Sequence, residues 1–251
     1  MDMNGFLLSI FSHTLEYSQY FLQYFNTFSC FLLSMRIDLH IHTNHSKCSS
    51  MPVKDLIKIA ARCGLDGIAI TDHNTIKAWK EAKNLLRRLD SSLIFIRGEE
   101  ISSKDGHILA LGIQNVIKRN MSAEETIEKI HEQGGIAIFA HPFDYFRQHT
   151  TEEKLRGLEI DGIEVFNSRC ILGYSNSKAK RLATKMRVAQ VAGSDAHFSG
   201  EVGNAYTLFK DVNSEADVIK AIKKCQTMPA GKNSPIFVHL ETWLTKIKKR
   251  L

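Results

Sequence analysis

The sequence has few prolines, no Cys-x-x-Cys pair and no long uninterrupted apolar run. Its 4 prolines and 15 glycines among 251 residues exclude a collagen-like or low-complexity chain. The 5 cysteines are scattered and odd in number, which argues against a disulfide scaffold or a zinc ribbon and predicts a reducing, cytoplasmic compartment. With 43% apolar and 24% charged residues, the chain can bury a substantial core.

Residues 1–34 contain no Lys or Arg, although they contain nine aromatic residues. The missing positive charge excludes a typical signal peptide and a typical membrane-surface helix. Polar residues interrupt every apolar run before it reaches the roughly 18–20 residues of a membrane-spanning helix. We therefore predict that residues 1–34 are a non-native extension, that Met35 is the true start, and that residues 35–251 form a single domain without membrane association. A genuine hydrophobic extension is the alternative.

From Met35 onwards, short apolar β-branched runs alternate with longer amphipathic segments. This alternation predicts an α/β fold with a parallel sheet. The pattern alone allows a barrel or an open doubly wound sheet, but no Gly-x-Gly-x-x-Gly follows the first strand, which disfavours a dinucleotide-binding domain. The predicted strands are Arg36–Ile41, Gly67–Thr71, Leu93–Arg97, His107–Gly112, Gly135–Ala140, Gly162–Phe166, Val188–Ala192 and Ala205–Phe209.

Histidines and acidic residues recur at the ends of these predicted strands. His40 and His42 share one face of the first strand because side chains alternate with period two, and the same spacing relates Asp195 to His197. In an α/β barrel, the carboxyl ends of the strands carry the active site. The other motifs of this kind are Thr71-Asp72-His73, Gly98-Glu99-Glu100, His107 and His141-Pro142.

This group of ionisable side chains predicts bound metal ions. A surface histidine or a solvated acid explains any one motif equally well, but their convergence would be costly to desolvate without a compensating cation. Imidazole nitrogen and carboxylate oxygen without thiolate suit Zn²⁺, Mn²⁺ or Fe²⁺. Because the candidate ligands are too many for one ion, we expect two or three divalent ions.

Taken in order, His-x-His-Thr-x-x-Ser, Thr-Asp-His, Gly-x-Glu, Gly-His, His-Pro and Ser-Asp-Ala-His resemble the motifs of the PHP (polymerase and histidinol phosphatase) superfamily. The resemblance implies a distorted (β/α)7 TIM-like barrel whose metal cleft hydrolyses phosphate esters. It implies that Glu100, rather than Glu99, bridges ions, and we expect Asp195, His197 and His141 to act at the reacting centre. The implied metal ligands are His40, His42, His73, Glu100, His107, His141, Asp195 and His197.

One position departs from the family pattern. After the first motif the family usually has Asp-Gly, and that aspartate often binds a metal, whereas this chain has Lys47 and Cys48 there. A protonated lysine has no lone pair to offer a metal. Three readings stay open: Cys48 or His45 replaces the aspartate, one metal site is weaker or absent, or Cys48 is an ordinary loop thiol.

The resemblance implies a hydrolase in which a metal-activated water attacks phosphorus. We expect Arg169 to bind the phosphoryl oxygens, with Asn167 as a second substrate-binding residue. The net charge of +6 favours a small phosphorylated substrate such as a nucleotide, or short single-stranded nucleic acid. The alternative is a non-catalytic RNA-binding subunit that resembles the protein component of ribonuclease P. An amidohydrolase fits the motifs poorly.

Overall fold

The strands of this protein curve around a shared apolar core. The computed structural model describes residues 34–147 and 149–249, so the prediction about residues 1–34 lies almost wholly outside the described residues. The eight predicted strands are present with ends shifted by a few residues, and the sequence pattern misses a ninth. The strands are β1 Ser34–Ile41, β2 Gly67–Ile70, β3 Ile94–Ser102, β4 His107–Leu111, β5 Ile136–Phe139, β6 Gly162–Asn167, β7 Ala189–Gly193, β8 Ala205–Lys210 and β9 Met228–Gly231.

The sheet combines parallel pairs with antiparallel pairs around β4 and at its β8–β9 edge. Its strand order is β7-β6-β5-β4-β3-β2-β1-β8-β9. β1, β2 and β3 pair in parallel, as do β5, β6 and β7. β4 runs antiparallel to both of its neighbours, and β8 pairs antiparallel with β9, so the expectation of a wholly parallel sheet is wrong at these places.

The reversal at β4 follows from the length of its connection to β3. Only residues 103–106 separate the two strands, which is enough for a hairpin but too short for a helical crossover. Gly106 adopts φ +145° in this turn, and a Cβ atom there would lie 2.6 Å from the ring of Phe139. Glycine is therefore required both by the backbone and by the packing.

The two sides of the sheet meet where β1 lies beside β7. The N–H of His42 donates to the carbonyl of Ala196 at 2.9 Å, which continues the pairing beyond the strand ends. The hydroxyl of Thr207 in β8 accepts from the N–H of Ala192 in β7 at 2.8 Å. The sheet thus nearly closes, which confirms the predicted distorted barrel of the TIM-like type.

Amphipathic helices connect most of the strands. A capping box begins the third helix, since the Ser122 hydroxyl accepts from the Glu125 N–H at 3.2 Å and the Glu125 carboxylate accepts from the Ser122 N–H at 3.0 Å. The helices are α1 Val53–Arg62, α2 Ala78–Arg88, α3 Ala123–Glu132, α4 Glu152–Arg156, α5 Gly173–Met186, α6 Glu215–Lys223 and α7 Val238–Lys248.

The buried apolar side chains form three clusters. One joins the sheet to α3 and α5, a second joins it to α1 and α2, and the third combines side chains from most strands with α6. The third cluster includes Leu109, Ile138 and Val191, all 0% exposed, from β4, β5 and β7. A sheet that closes on its own side chains produces such a shared core. Among the described helices, none combines the length and apolar character that crossing a bilayer requires.

Candidate metal centre

All eight implied metal ligands lie at one end of the barrel. Four of them follow β2, β5 or β7 in loops, and the others lie within β1, β3 or β4. His107 is the first residue of β4, and because β4 is antiparallel, its beginning lies where β3 ends. The ligands within strands are His40, His42, Glu100 and His107, and those within loops are His73, His141, Asp195 and His197.

The carboxylate of Glu100 is the common neighbour of five imidazoles. Its Oε2 atom faces three rings and its Oε1 atom faces two, so the two oxygens are directed at different groups of nitrogen donors. That arrangement suits a carboxylate that bridges two ions. Ring nitrogens of His40, His42 and His73 lie 3.5, 3.2 and 2.9 Å from Oε2, and those of His107 and His141 lie 2.8 and 3.1 Å from Oε1.

Asp195 supplies a second carboxylate to the same cluster. Its Oδ1 atom lies 3.5 Å from Nε2 of His40 and 3.1 Å from Nε2 of His42. Asp195 and His141 also adopt positive φ angles of +52° and +30°, which are unusual for residues with a side chain. Such backbone conformations persist where the surrounding structure fixes them, and they concentrate at functional sites.

Unpartnered buried atoms show that this cluster fits metal ions. Oε2 of Glu100 and the Nδ1 atoms of His73, His107 and His141 are buried and make no hydrogen bond. His73 Nδ1 nevertheless lies 2.9 Å from Glu100 Oε2, so the two atoms approach each other without hydrogen-bond geometry. Buried polar atoms are normally hydrogen-bonded, and the unpartnered atoms of Glu100, His73 and His107, which form one ligand group, indicate a shared cation.

The donor atoms fall into four overlapping groups. Within each group, one ligand atom per residue lies within 4.8 Å of every other, and the imidazole and carboxylate donors suit first-row divalent metals. The groups are His40–His42–Glu100, His40–His141–Asp195, His73–Glu100–His107 and His42–Cys48–His73–His197.

The titratable groups of this cluster shift one another's pKa values. Burial raises the pKa of Glu100, but the imidazoles of His73, His107 and His40 outweigh burial and hold that pKa well below its usual value. Burial lowers the pKa of His73, yet the charge of Glu100 outweighs burial and raises it to about 9. Ionised carboxylates and protonated imidazoles therefore coexist here, and a cation displaces imidazole protons when it binds.

Glu164 and Asn167 contact the implied ligands through hydrogen bonds. Oε1 of Glu164 lies 3.0 Å from His40 Nδ1, and its Oε2 accepts from the N–H of His141 at 3.0 Å. The amide of Asn167 donates to Glu164 at 3.0 Å and to Asp195 at 3.2 Å. Asn167 is 0% exposed and holds Glu164 and Asp195 in place, and its contact with substrate stays a prediction.

The segment after β1 is tied to the motif that follows β2. Asp72 accepts hydrogen bonds from the Thr43 hydroxyl at 2.6 Å and from the Ser46 hydroxyl at 2.6 Å. His45 instead lies 3.1 Å from Glu81 on the surface. Of the two residues considered as replacements for the missing aspartate, only Cys48 therefore joins the ligand groups.

Arg169 connects the segment after β6 to helix α7 through hydrogen bonds. It is 3% exposed, and its guanidinium lies 3.2 Å from Oε1 of Glu201 and donates to Thr242 Oγ1 at 2.6 Å. It also contacts Nδ1 of His197. The residue lines the cleft described below, but these contacts already occupy most of the donors that the sequence prediction assigns to a phosphate.

Arg147 is a cleft residue that the sequence analysis misses. Its Nε atom lies 3.1 Å from Asp144, and its Nη1 atom makes a short ion pair with Oδ2 of Asp195. These carboxylates raise the pKa of Arg147 despite its burial, so the guanidinium is charged. The one available signal is its place in the loop after β5, at the end of the barrel where functional loops lie.

An open cleft of about 320 Å³ reaches the ligands from the surface, which is a volume suited to a small molecule. Six implied ligands and two arginines form its floor and inner wall. Aromatic residues and helix α7 form the outer wall. The lining residues are His73, Glu100, His107, His141, Asp195, His197, Arg147, Arg169, Phe146, His239, Thr242 and Trp243.

Several known proteins resemble this chain in sequence. A family model described as PHP-associated matches residues 173–227. An uncharacterized protein of Methanocaldococcus jannaschii is 35% identical over 187 residues, which are 72% of this chain and 73% of that protein. A PolC-type DNA polymerase III of Caldanaerobacter subterraneus is 28% identical over 103 residues, which are 36% of this chain and 7% of the polymerase.

The fold of this chain also resembles an experimentally determined structure. A two-domain protein from Bacteroides vulgatus, which contains a predicted PHP-like metal-dependent phosphoesterase, superposes with a TM-score of 0.68 at 17% sequence identity. The superposition covers 86% of this chain and 70% of the other. At that level of identity the likeness shows a shared fold.

Proposed function

This chain belongs to the PHP superfamily of metal-dependent phosphoesterases, and on that premise we propose that it hydrolyses small phosphorylated substrates. The observation that carries the proposal is the convergence of five imidazoles on the carboxylate of Glu100 at the floor of an open cleft. When bound, paired divalent ions polarise a phosphoryl oxygen, lower the pKa of water and neutralise the leaving oxygen. We propose two or three such ions, of Mn²⁺, Zn²⁺ or Fe²⁺.

The protein's contribution is to hold the ligands in fixed positions. Glu100 and Asp195 lie on opposite sides of the His40–His42 pair and supply the negative charge that attracts cations. Glu164 occupies Nδ1 of His40, which leaves Nε2 of that ring for an ion. Because these side chains are buried, they are already oriented before a substrate arrives, and little reorganisation accompanies the reaction.

Arg147 is the cleft residue best suited to bind a phosphoryl group. A guanidinium presents several donors in one plane and matches the geometry of phosphate oxygens. Arg147 lines the cleft and pairs with Asp195, so its charged guanidinium would lie next to any ion that this carboxylate holds. Arg169, by contrast, remains bonded to Glu201 and Thr242 and supports the wall of the cleft.

The walls of the cleft favour a substrate with a flat organic group. Phe146 and Trp243 are 64% and 57% exposed and lie at the cleft, where their rings can stack on a base. Together with the positive net charge, this supports a nucleotide or a short single-stranded oligonucleotide. Cytoplasmic location remains a proposal based on the cysteine content. No contact among the described residues favours the alternative of a non-catalytic RNA-binding subunit.

Two chromogenic esters test this function. The full chain is stripped with a chelator, reconstituted with Mn²⁺ or Zn²⁺, and assayed with p-nitrophenyl phosphate and with bis-p-nitrophenyl phosphate. We expect turnover of at least one ester only in the reconstituted protein. Faster monoester turnover identifies a phosphatase and faster diester turnover a phosphodiesterase. Equal turnover before and after stripping, or none with the metals bound, contradicts the proposal.

A further inference from the structure

Cys48 lies where this chain departs from the usual family motif. Its side chain is 2% exposed, whereas the neighbouring Lys47 is exposed. The sulfur atom shares a group with His42, His73 and His197, in which the ligand atoms lie within 4.8 Å of one another. A buried thiol among three imidazoles has the donor set of a zinc site.

The backbone around Cys48 is fixed with respect to these imidazoles. The hydroxyl of Ser49, the next residue, lies 3.1 Å from the carbonyl of His42 and 2.8 Å from that of His197. From the end of α7, Lys249 donates to the carbonyl oxygens of Ser46 at 2.7 Å and Ser49 at 2.5 Å. The thiol is therefore held beside the imidazoles by hydrogen bonds on both sides of residue 48.

Three members of the group remain available when the contacts of each ring are considered. Nε2 of His42 lies 3.1 Å from Asp195 and 3.2 Å from Glu100, so that atom belongs with the carboxylates. Nδ1 of His197 contacts the backbone oxygen of Asp195 and the guanidinium of Arg169, which leaves its Nε2 atom free. Nδ1 of His73 lies 2.9 Å from Oε2 of Glu100, so this ring adjoins both the Glu100 carboxylate and the Cys48 group. Cys48, His73 and His197 are then the three candidate ligands.

We propose that Cys48 is a thiolate ligand, with His73 and His197, of a zinc ion at the side of the cluster where this chain lacks the usual aspartate. The thiol proton passes to solvent as the ion binds. A soft thiolate favours zinc over manganese, whereas each of the other three groups combines two imidazoles with one carboxylate, so the Cys48 group differs from them in its donor atoms. This inference concerns metal binding alone and does not depend on which phosphate ester is hydrolysed.

Cobalt spectroscopy tests the ligand directly. The metal-free full chain is titrated with Co²⁺, because a thiolate bound to Co²⁺ gives a near-ultraviolet charge-transfer band that imidazole and carboxylate do not give. We expect this band in the native protein and in the matched control C30S/C63S/C170S/C225S, which retains only Cys48. We expect its loss in Cys48→Ser, while the weaker visible bands from the remaining cobalt persist.

Absence of the band in the cobalt-loaded native protein overturns the proposal, and so does its survival in Cys48→Ser. Circular dichroism establishes that the variant folds, and Cys48→Ala replaces Cys48→Ser if the serine variant does not fold.

A second measurement needs no variant: after dialysis against equal concentrations of Zn²⁺ and Mn²⁺, the native protein should retain zinc in preference to manganese at one site per chain. A protein that holds manganese alone also overturns the proposal. Loss of ester hydrolysis with an intact cobalt band would count against the proposed function and not against this ligand.

Discussion

Nδ1 of His40 lies 3.0 Å from Oε1 of Glu164, and the two side chains are 0% and 1% exposed. The contact joins residues 124 positions apart in the sequence and fixes the rotation of the imidazole ring. With Nδ1 occupied, Nε2 faces Glu100 and Asp195 at 3.5 Å each. A carboxylate in this position fixes the tautomer of a ligating histidine and increases its basicity.

Glu164→Gln should therefore weaken metal binding although Glu164 is not an implied ligand. The amide retains the size of the side chain but loses the charge that favours the ligating tautomer of His40. We expect the affinity for Mn²⁺ to fall about 10–100-fold, as measured by isothermal titration calorimetry. Glu159→Gln, at an exposed position shortly before β6, is the matched control and should bind as the native protein does. Equal affinities of the two variants would contradict the assigned role of Glu164.

Arg147→Gln separates substrate binding from metal binding. Loss of a hydrogen-bonding cation at the cleft should lower kcat/KM for the preferred ester about 10–100-fold, because bonds to charged groups contribute about 1.5–3 kcal/mol. Metal affinity should stay the same or increase, since Arg147 competes with ions for Asp195. Steady-state kinetics and metal titration measure both effects, with exposed Arg156→Gln as the control. Weaker metal binding with unchanged kcat/KM is the result that excludes this role.

Glu99→Gln should make the protein more stable at alkaline pH. Burial raises the pKa of Glu99 to about 7, and only Oε2 has a partner, the Ile117 N–H at 2.9 Å. The folded state therefore retains a proton that the unfolded chain releases near its ordinary pKa of about 4.3. As pH rises from about 4 to above 7, the native protein loses stability from this group, on the order of 3 kcal/mol.

The glutamine variant has no such titration, so its stability relative to the native protein should increase over the same pH range. Urea unfolding at several pH values measures the difference, and contributions from the other titrating groups largely cancel in it. Parallel stability profiles for the two proteins would show that Glu99 is ionised at neutral pH in the folded state.

The sequence predicts the ligand cluster well because strand ends converge in any closed parallel barrel. His40 and His42 are recognisable from period-two spacing within one strand. His107 lies at the same end of the barrel because the connection from Ser102 is short, which can also be read from the sequence. The expectation that β4 is parallel to its neighbours is nevertheless wrong. Local patterns therefore identify which side chains reach this end of the barrel.

Contacts between distant loops are not encoded in a local pattern. Arg169 follows a strand end and has the right chemistry for phosphate, yet its guanidinium is turned towards Glu201 and Thr242 of later segments. Arg147 has no motif around it, and only the folded loop brings it to Asp195. Both arginines line the cleft, and tertiary packing decides which groups each guanidinium contacts there.

Two adjacent residues of β3 provide the most direct test of the central claim. Side chains alternate along a strand, so Glu100 faces the imidazole cluster whereas Glu99 contacts Ile117 on the other side. Bound metal per chain and ester turnover are measured for Glu100→Gln and Glu99→Gln under identical conditions. We predict that Glu100→Gln loses bound metal and turnover, while Glu99→Gln retains both. Full metal content and full turnover in a folded Glu100→Gln variant would contradict a metal centre built around Glu100.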